Sequence, residues 1–453
     1  MEKFDLILIG AGPGGYETAV YAAQQGLNVA IVEEERAGGT CLQRGCIPTK
    51  CLAHTAEMLD EMRHAATLGI NLPEGEIGLD FDQVMSRTRG VIDTLTAGID
   101  GLLSRPDITR LNGHGALSGP DTVTVETADG ESQTISAKHI IIATGSKPRM
   151  LPVGGIDLPG VVTSDDMFHL TSVPRRLCVV GGGVIGLEFA GIFASFGSEV
   201  SVVEFCKEVT PNLDRDMAKR LRTALKKRGI NFATESAVTG IAQSADGLVV
   251  AYEKKGKAAE VEADLVLMAV GRGPRLDGIG LEAAGVDFTP RGITVDDNMQ
   301  TSVAGVYAIG DVNGRCQLAH AATFQGRRAV NHILGRADEI DFSLVPSAVY
   351  TVPSLASVGL REEDFEATGE RPIIVRKLYR ANGRALTMGA EEGCIKLIAR
   401  PADSRIVGVH ILGASAAEMI HEAAVLIRQG ATLDQLHDII HAHPTLSELY
   451  LAE

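Results

Sequence analysis

Two cysteines, Cys41 and Cys46, stand five positions apart in the segment GGTCLQRGCIPTK, a spacing that could support thiol–disulfide chemistry. In a regular helix their Cα atoms would lie roughly 8.7 Å apart, whereas a disulfide requires less than about 7 Å. The pair can therefore bond only across a distorted turn. Gly45 supplies the backbone freedom for such a turn, and we expect Pro48 to disfavour helical geometry at Ile47.

A strained and accessible disulfide would suit exchange chemistry better than structural cross-linking. The alternative is that both residues are small hydrophobic side chains in a core. That is our interpretation of the remaining cysteines, which are Cys51, Cys178, Cys206, Cys316 and Cys394. The odd total of seven argues against a framework of structural disulfides.

A dithiol relay also needs a proton acceptor, because the thiolate is the nucleophile. The segment HAHPTLSE places Glu448 five positions after His443, and a histidine held by a carboxylate is a common general base. A solvated C-terminal turn is the alternative. We expect no metal here, because His441 and His443 have no convincing third ligand.

A repeated pattern must position these residues. Residues 4–33 and 175–204 each read as strand, glycine-rich turn, helix and strand, and every matched position is offset by 171 residues. In each copy an acid, Glu33 or Glu204, follows the first glycine by 23 residues. The fingerprint glycines are Gly10, Gly12 and Gly15 in the first copy and Gly181, Gly183 and Gly186 in the second.

This repeat predicts two dinucleotide sites, since such glycines form the tight turn, the close approach to a pyrophosphate and the strand–helix contact. The acid accepts hydrogen bonds from a ribose. The segment FCKEVTPNLD after Glu204 contains no arginine, so NAD is favoured over NADP at the second site. The alternative is that Lys207 serves a 2′-phosphate.

Two further strands end in residues that could contact a dinucleotide. HIIIATGS ends at Gly145 and Ser146, and GVYAIGDV carries Asp311. Asp311 could bind a sugar-alcohol chain or, equally, cap the following helix.

From about residue 340 the glycine fingerprints cease. Four predicted strands are followed by a helix over 416–429 and another from about Leu433. This pattern is typical of an α+β domain with an antiparallel sheet.

Composition excludes several classes of function. The chain has 453 residues, with 45% hydrophobic and 22% charged residues and a net charge of −16. The negative charge argues against nucleic acid as a partner. No apolar run is long enough to span a bilayer, and a strand pattern begins at once without a basic leader. We therefore expect no membrane partner and a cytoplasmic location.

Together, the two fingerprints, GGTCLQRGCIPTK, GVYAIGDV and HAHPTLSE resemble the pyridine nucleotide–disulfide oxidoreductases over Phe4 to Glu448. HAHPTLSE is similar to the members that oxidise dihydrolipoyl groups with NAD, rather than to the glutathione-type reductases. The resemblance implies an α/β fold with two Rossmann-like dinucleotide-binding domains and a C-terminal α+β dimerisation domain. The implied boundaries are 1–146 for the first part of the FAD domain, 147–272 for the NAD domain, 273–338 for the return to the FAD domain and 339–453 for the interface domain.

The resemblance also assigns roles. FAD would be held by Gly10, Gly12, Gly15, Glu33, Lys50, Gly145, Asp311 and His320, and NAD by Gly183, Gly186, Glu204 and Gly271. Lys50 and Glu188 would form an ion pair beside the flavin and the nicotinamide. The implied partners are a second copy of the chain, whose base completes the site, and lipoyl-bearing proteins of 2-oxoacid dehydrogenase or glycine-cleavage complexes.

The implied relay begins with attack of a dihydrolipoyl thiolate on Cys41, which would be the exposed exchange thiol. His443 would take the proton, and Glu448 would orient the His443 imidazole. Cys46 would face the flavin and pass two electrons towards NAD.

Several residues depart from the family pattern: Gln43, Arg44, Gln325 and Ser354. We hypothesise that Arg44 lowers the pKa of a nearby thiol. Three alternatives stay open: a reductase of another disulfide using NAD(P)H, a non-catalytic redox-sensing flavoprotein, and an oxidase that needs no cysteine pair.

Overall fold

The computed structural model describes residues 2–72, 77–367 and 369–451. The chain divides into two compact units. The first unit comprises residues 1–51, 83–149 and 271–340, and the second comprises 52–82, 150–270 and 341–453. The predicted four-part division stays a prediction, and its end points, residues 1 and 453, lie outside the described residues.

The first unit is built around a seven-stranded sheet. Its central strand β1 is paired on both sides, and Leu6, Ile7 and Leu8 are fully buried. An apolar run of this kind is what a parallel strand covered on both faces requires. The elements over 2–149 are β1 (Glu2–Ile9), α1 (Pro13–Gln24), β2 (Val29–Glu33), α2 (Gly39–Arg44), α3 (Cys46–His64), α4 (Phe81–Leu103), β3 (Ile108–Asn112), β4 (His114–Leu117), β5 (Thr122–Glu126), β6 (Ser132–Ile142) and β7 (Ser146–Pro148).

A five-stranded parallel sheet in the second unit repeats the plan of the first. Its order is β11-β10-β9-β15-β8, and the antiparallel sheet β12-β13-β14 is a separate ladder. The elements over 150–270 are β8 (Val161–Thr163), β9 (Arg176–Val180), α5 (Val184–Ser195), β10 (Glu199–Val203), α6 (Arg215–Lys227), β11 (Asn231–Ala233), β12 (Ser236–Ser244), β13 (Gly247–Lys254), β14 (Lys257–Ala263) and β15 (Leu265–Met268).

The chain then completes the sheet of the first unit. Strand β19 pairs in parallel with β6, which gives the order β3-β2-β1-β6-β5-β4 with β19 added at β6. The elements over 271–340 are β16 (Arg272–Pro274), α7 (Leu281–Ala284), β17 (Phe288–Thr289), β18 (Gly292–Ile293), β19 (Val306–Ala308) and α8 (Ala319–Ile333).

The C-terminal part of the second unit contains the predicted antiparallel sheet, in the order β20-β21-β24-β23-β22. The elements over 341–451 are β20 (Ser347–Val349), β21 (Ser354–Gly359), β22 (Ile373–Leu378), α9 (Gly383–Thr387), β23 (Cys394–Ala399), β24 (Ile406–Gly413), α10 (Ala416–Arg428) and α11 (Leu433–His437). One-turn 3-10 helices lie at Ala65–Leu68, Asp166–His169, Gly310–Asn313, Glu362–Phe365, Tyr379–Ala381 and Leu446–Tyr450. The predicted fold class is confirmed.

A buried charge cluster lies within the second unit. The Lys396 ammonium, fully buried on β23, donates to both carboxylate oxygens of Asp214 at 2.9 and 2.7 Å and to Glu362 at 2.7 Å. Asp214 is also fully buried and caps α6 by accepting from the Met217 amide. Removing the Lys396 charge would leave the Asp214 carboxylate uncompensated in the interior.

Candidate active site

The first glycines of the two fingerprints adopt the same left-handed turn. Gly10 has φ 104° and Gly181 has φ 111°. A Cβ at Gly10 would lie 2.5 Å from the Ala143 carbonyl oxygen, and one at Gly181 would lie 2.4 Å from that of Ala269. Both the conformation and the contact therefore require glycine.

The other fingerprint glycines have the surroundings that a pyrophosphate site needs. At Gly15 and Gly186 a Cβ would lie 1.9 and 2.1 Å from the carbonyl oxygen of the first glycine, so these positions bring helix and strand together. Gly12 and Gly183 are the N-caps of α1 and α5 without a side-chain cap. A Cβ would meet only one atom at Gly12, at 3.9 Å, and none within 4 Å at Gly183, which leaves room for phosphate beside each helix N-terminus.

The two fingerprint acids make matching contacts. Glu33 accepts hydrogen bonds from the amides of Ala11 at 2.6 Å and Glu35 at 2.9 Å. Glu204 accepts from the amides of Gly182 and Cys206. Each carboxylate oxygen keeps lone-pair capacity for a ribose hydroxyl, so both acids are fixed in position and chemically suited to the predicted role.

The cysteine pair lies across a break between two helices. Cys41 is on α2, Gly45 follows with φ −142° and ψ −109°, and Cys46 is the first residue of α3. The expected distortion at Gly45 is present. The expectation for Ile47 is wrong, because Ile47 is helical: Pro48 lies in the first turn of α3, where its missing N–H costs no intrahelical hydrogen bond.

Cys41 is in hydrogen-bond contact with Cys46. That contact and burial raise the pKa of the Cys41 thiol, while the positive charge of Lys50 lowers it. Cys46 begins a 19-residue helix, whose N-terminus stabilises a thiolate. Cys46 therefore stands where a helix N-terminus can stabilise a thiolate, with the Cys41 thiol as its hydrogen-bonded neighbour.

The two thiols differ in exposure. Since Cys46 is predicted to face bound FAD, the predicted roles of the two thiols stay predictions. Cys46 is exposed and Cys41 is half-buried. The reason is local: Cys41 lies within α2, packed against the start of α3, whereas Cys46 stands at the open end of its helix.

Gln43 and Arg44, the two residues between the cysteines that depart from the family pattern, both have partners within the first unit. The Gln43 amide donates to the Ala37 carbonyl at 2.7 Å and to the Thr96 hydroxyl at 2.9 Å, which ties the redox segment to α4. The Arg44 guanidinium pairs with Glu35. Lys50 is the cation that lowers the pKa of Cys41, and the hypothesis that Arg44 lowers the pKa of a nearby thiol stays a prediction.

His443 and Glu448 are brought together as predicted. The His443 Nδ1 atom lies 2.9 Å from Glu448 Oε1, and 79% of the imidazole is exposed. The Thr445 amide donates to the other carboxylate oxygen at 2.8 Å. That bond and the bond from His443 lower the pKa of Glu448. A proton on Nδ1 leaves Nε2 as an exposed acceptor.

The neighbouring His441 has a different environment. Its imidazole is only 6% exposed, and Nε2 lies 2.7 Å from Glu422 Oε1. Of the two histidines in HAHPTLSE, only His443 is therefore accessible to a substrate.

Two features of the site were missed from the sequence. Thr445 and Glu448 form a capping box on the turn Leu446–Tyr450, and the spacing T-x-x-E could have indicated it. Tyr16 lies close enough to Cys41 for the two groups to interact. Burial, the charge of Glu17 and that of Cys41 raise the pKa of Tyr16 to about 12. No local sequence signal links Tyr16 to Cys41.

Asp311 lies on the turn Gly310–Asn313 and accepts a hydrogen bond from the Ser146 hydroxyl at 2.5 Å. The Arg272 guanidinium donates to the Ser146 hydroxyl and carbonyl. Burial raises the pKa of Asp311. The alternative of helix capping is not observed, because α8 is capped by Leu318 without a side-chain bond.

The remaining predicted residues are distributed over both units. In the first unit, Gly145 and Gly271 have left-handed φ values of 73° and 105°, and His320 is exposed at the start of α8. In the second unit, the Glu188 carboxylate is buried on α5 and accepts from the Tyr350 amide at 2.9 Å. Lys50 belongs to the first unit, so its ion pair with Glu188 stays a prediction.

Three of the other cysteines, Cys51, Cys178 and Cys394, are buried as expected. The core assignment is wrong for Cys206 and Cys316, which are half-buried because each lies in a loop. Burial raises the pKa of both thiols.

The geometry, with two phosphate-binding turns, a dithiol at a helix N-terminus and an oriented imidazole, defines a nucleotide-dependent redox enzyme. The family described as pyridine nucleotide-disulphide oxidoreductase matches residues 4–326, and its dimerisation domain matches residues 345–452. The chain belongs to this family.

The chain is 39% identical to leghemoglobin reductase from Glycine max over 452 residues, covering 99% of this chain and 86% of that protein. It is 39% identical to a dihydrolipoyl dehydrogenase from Bacillus subtilis (strain 168) over 443 residues, covering 98% and 96%. Among solved structures, the HOCl-induced flavoprotein disulfide reductase RclA from Escherichia coli, in its Cu(II) complex, superposes with a TM-score of 0.89 at 29% identity, covering 100% of this chain and 98% of that one.

Membership of the family confirms the predicted cofactors, FAD and NAD, and the fingerprint geometry fits two dinucleotides. The match at 345–452 shows that the chain carries a dimerisation domain. Within residues 2–72, 77–367 and 369–451, no helix combines the length and apolar character needed to cross a bilayer.

Proposed function

We propose that the protein is an FAD-dependent dihydrolipoyl dehydrogenase, which oxidises protein-bound dihydrolipoyl groups with NAD in the cytoplasm. The observation that carries the proposal is the His443–Glu448 pair, because a dithiol substrate must lose protons at an accessible base. The similarity to dihydrolipoyl dehydrogenases over nearly the whole chain supports the same substrate.

The proposed exchange starts from the oxidised pair, Cys41–Cys46. A substrate thiolate attacks the Cys41 sulfur, the Cys41–Cys46 bond breaks, and Cys46 leaves as a thiolate at the N-terminus of α3. The second substrate sulfur then displaces Cys41, which closes the substrate disulfide. One substrate proton stays on His443 and the other passes through it to Cys41, so the enzyme keeps the two electrons as the Cys41 thiol and the Cys46 thiolate.

The residues of the chain prepare this step in distinct ways. Glu448 holds the His443 imidazole with Nε2 outward, and the Thr445 amide holds Glu448. The positive charge of Lys50 stabilises the negative charge that develops on Cys41 when the second substrate sulfur displaces it. Bound FAD supplies two-electron transfer from a thiolate and hydride transfer to NAD. We propose Gly10, Gly12, Gly15, Glu33 and Asp311 as its main contacts and Gly183, Gly186 and Glu204 as those of NAD.

We further propose that His443 serves the cysteine pair of the partner subunit. The dimerisation domain contains His443, whereas Cys41 and Cys46 belong to the first unit. Mixed dimers of Cys46→Ser and His443→Gln subunits test this arrangement. A base acting between subunits leaves one intact site in each mixed dimer and restores activity, whereas a base acting within one subunit leaves none.

A second candidate function is reduction of another disulfide by NADH or NADPH. The structural similarity to the flavoprotein disulfide reductase RclA over the whole chain favours it. Lipoyl-bearing partners distinguish the two candidates, because only the first requires a carrier protein.

The test compares kcat/KM for dihydrolipoamide with NAD against kcat/KM for a panel of disulfides with NADH and NADPH. We expect the lipoyl reaction to exceed every other by at least about a hundredfold, which corresponds to about 2.7 kcal/mol of transition-state binding. A disulfide that is reduced more efficiently than lipoamide would favour the second candidate. Cys46→Ser is the control, since it removes both reactions and spares dye reduction by NADH.

A further inference from the structure

A buried side-chain amide, that of Gln325, lies at the centre of a hydrogen-bond network. The catalytic and cofactor-binding roles described above do not involve this network. The Gln325 side chain projects from the middle of α8, and the residue is 2% exposed. Its Oε1 atom accepts from the Gly310 backbone amide at 2.7 Å and from Asn313 Nδ2 at 2.8 Å. These two donors are the first and last residues of the turn that carries Asp311.

The contacts determine which way both amides point. Asn313 Oδ1 accepts from the Arg315 backbone amide at 3.0 Å, so Nδ2 must face the other side, where it also donates to the Ala308 carbonyl at 3.0 Å. The Gln325 atom between Asn313 Nδ2 and the Gly310 N–H must then be an oxygen, because both neighbours are donors. The network therefore has one arrangement.

The helix that bears Gln325 is itself packed against the first fingerprint. A Cβ at Gly326 would lie 1.7 Å from the Thr18 hydroxyl oxygen on α1, and one at Gly14 would lie 3.0 Å from Ala322 Cβ. The α8 helix thus connects the phosphate-binding turn and the Gly310–Asn313 turn through rigid contacts. Gln325 is the hydrogen-bonding part of this connection.

We propose that Gln325 is a positioning residue for FAD, which holds the Gly310–Asn313 turn on α8 and so sets the distance between the Asp311 carboxylate and the first fingerprint. The proposal rests on FAD binding and not on the identity of the disulfide substrate. Its failure and that of the proposed function are therefore distinguishable.

An uncharged amide at position 325 is favoured by the nearby carboxylate of Asp311. Asp311 is adjacent to Gly310 and accepts a hydrogen bond from the Ser146 hydroxyl. A carboxylate in place of the amide would accept the same two hydrogen bonds but would add a negative charge close to a carboxylate that is already poorly solvated. Gln325 supplies the acceptor without that charge.

The test measures the dissociation constant of FAD from apoprotein and the melting temperatures of the apo and FAD-loaded forms. In Gln325→Met the acceptor is lost, so the Gly310 amide and Asn313 Nδ2 each lose a buried hydrogen bond. We expect the dissociation constant to rise at least tenfold. We also expect the gain in melting temperature on FAD binding to shrink.

Gln325→Glu keeps the acceptor oxygen but adds a buried negative charge beside Asp311. We expect its dissociation constant for FAD to lie between those of the unmodified protein and Gln325→Met. Gln133→Met is the matched control, because Gln133 is exposed on β6 of the same unit. It should change neither quantity. If Gln325→Met does not fold, Asn313→Ala tests the same network, because it removes one of the two donors to Gln325. We expect it to raise the FAD dissociation constant by about threefold to tenfold.

Two results would overturn the proposal. One is FAD binding by Gln325→Met, or by Asn313→Ala in its place, with unchanged affinity. The other is an equal fall in the melting temperatures of the apo and FAD-loaded forms, because that would show that Gln325 stabilises the fold without positioning the cofactor site.

Discussion

Gly45 controls the distance between the two cysteines, and its replacement by alanine tests the geometry of the redox site. The Gly45 backbone forms the break between α2 and α3. A Cβ there would lie 2.8 Å from the Thr40 carbonyl oxygen and 3.3 Å from the Cys41 Cα atom. Both contacts are with backbone, so a side-chain rotation cannot relieve them.

The size of the effect follows from these distances. The distance from this Cβ to the Thr40 carbonyl oxygen is about 0.6 Å shorter than the 3.4 Å at which ordinary van der Waals contact begins. The α2 helix must therefore move away from α3 by roughly that amount. A displacement of about 1 Å at a reacting pair can cost about 10²-fold in rate. We therefore expect Gly45→Ala to slow dithiol–disulfide exchange by about tenfold or more.

The assay separates exchange from the rest of the enzyme. Turnover with dihydrolipoamide and NAD requires the cysteine pair, whereas reduction of a dye by NADH requires only the flavin. Gly98→Ala is the matched control, because Gly98 lies on α4 in the same unit and a Cβ there meets nothing within 4 Å. Gly45→Ala should lower the first activity and spare the second, and the control should spare both.

The reasoning would be refuted if Gly45→Ala kept the lipoyl activity and the rate of disulfide formation of the unmodified protein. An equal loss of both activities would also contradict it, because that would indicate general damage to the flavin domain.

Three further perturbations test other parts of the molecule. Lys396→Met should lower the free energy of unfolding by about 3–5 kcal/mol, because it leaves Asp214 charged and buried; chemical denaturation measures the loss, and adding Asp214→Asn should restore much of it. His443→Gln should lower lipoyl turnover by about 10²–10⁴-fold while NADH–dye reduction stays unchanged; equal losses would argue against a base. Glu204→Gln should raise the preference for NADP, measured as kcat/KM for NADP divided by kcat/KM for NAD, by about tenfold, because a carboxylate repels a 2′-phosphate. An unchanged ratio would show that Glu204 does not select the nucleotide.

The sequence predicts the repeated parts of the fold well because their physics is local. Residues 10 and 181 must be glycine, because each has a left-handed backbone conformation and a close backbone contact. The apolar runs beside them are strands buried on both faces. The pairing of His443 with Glu448 was also predictable, since both belong to one short turn.

Other features depend on contacts between distant segments and could not be predicted. The partners of Gln325 lie 12 and 15 positions earlier in the chain, and the pairing of Lys396 with Asp214 joins residues 182 positions apart. The helical geometry of Ile47 was misjudged because Pro48 lies in the first turn of α3, where a backbone N–H has no intrahelical acceptor and a proline is tolerated. The relative exposure of the two thiols depends on how α2 packs against α3, which no residue pattern specifies.

Anaerobic titration of the FAD-loaded protein with dihydrolipoamide tests the central claim most directly. The account predicts that the flavin absorbance falls on addition of substrate, recovers when NAD is added with formation of an equal amount of NADH, and does not respond to substrate in Cys46→Ser. Bleaching of the flavin by dihydrolipoamide in Cys46→Ser at the unmodified rate would contradict the account, because electrons would then reach the flavin without the cysteine pair.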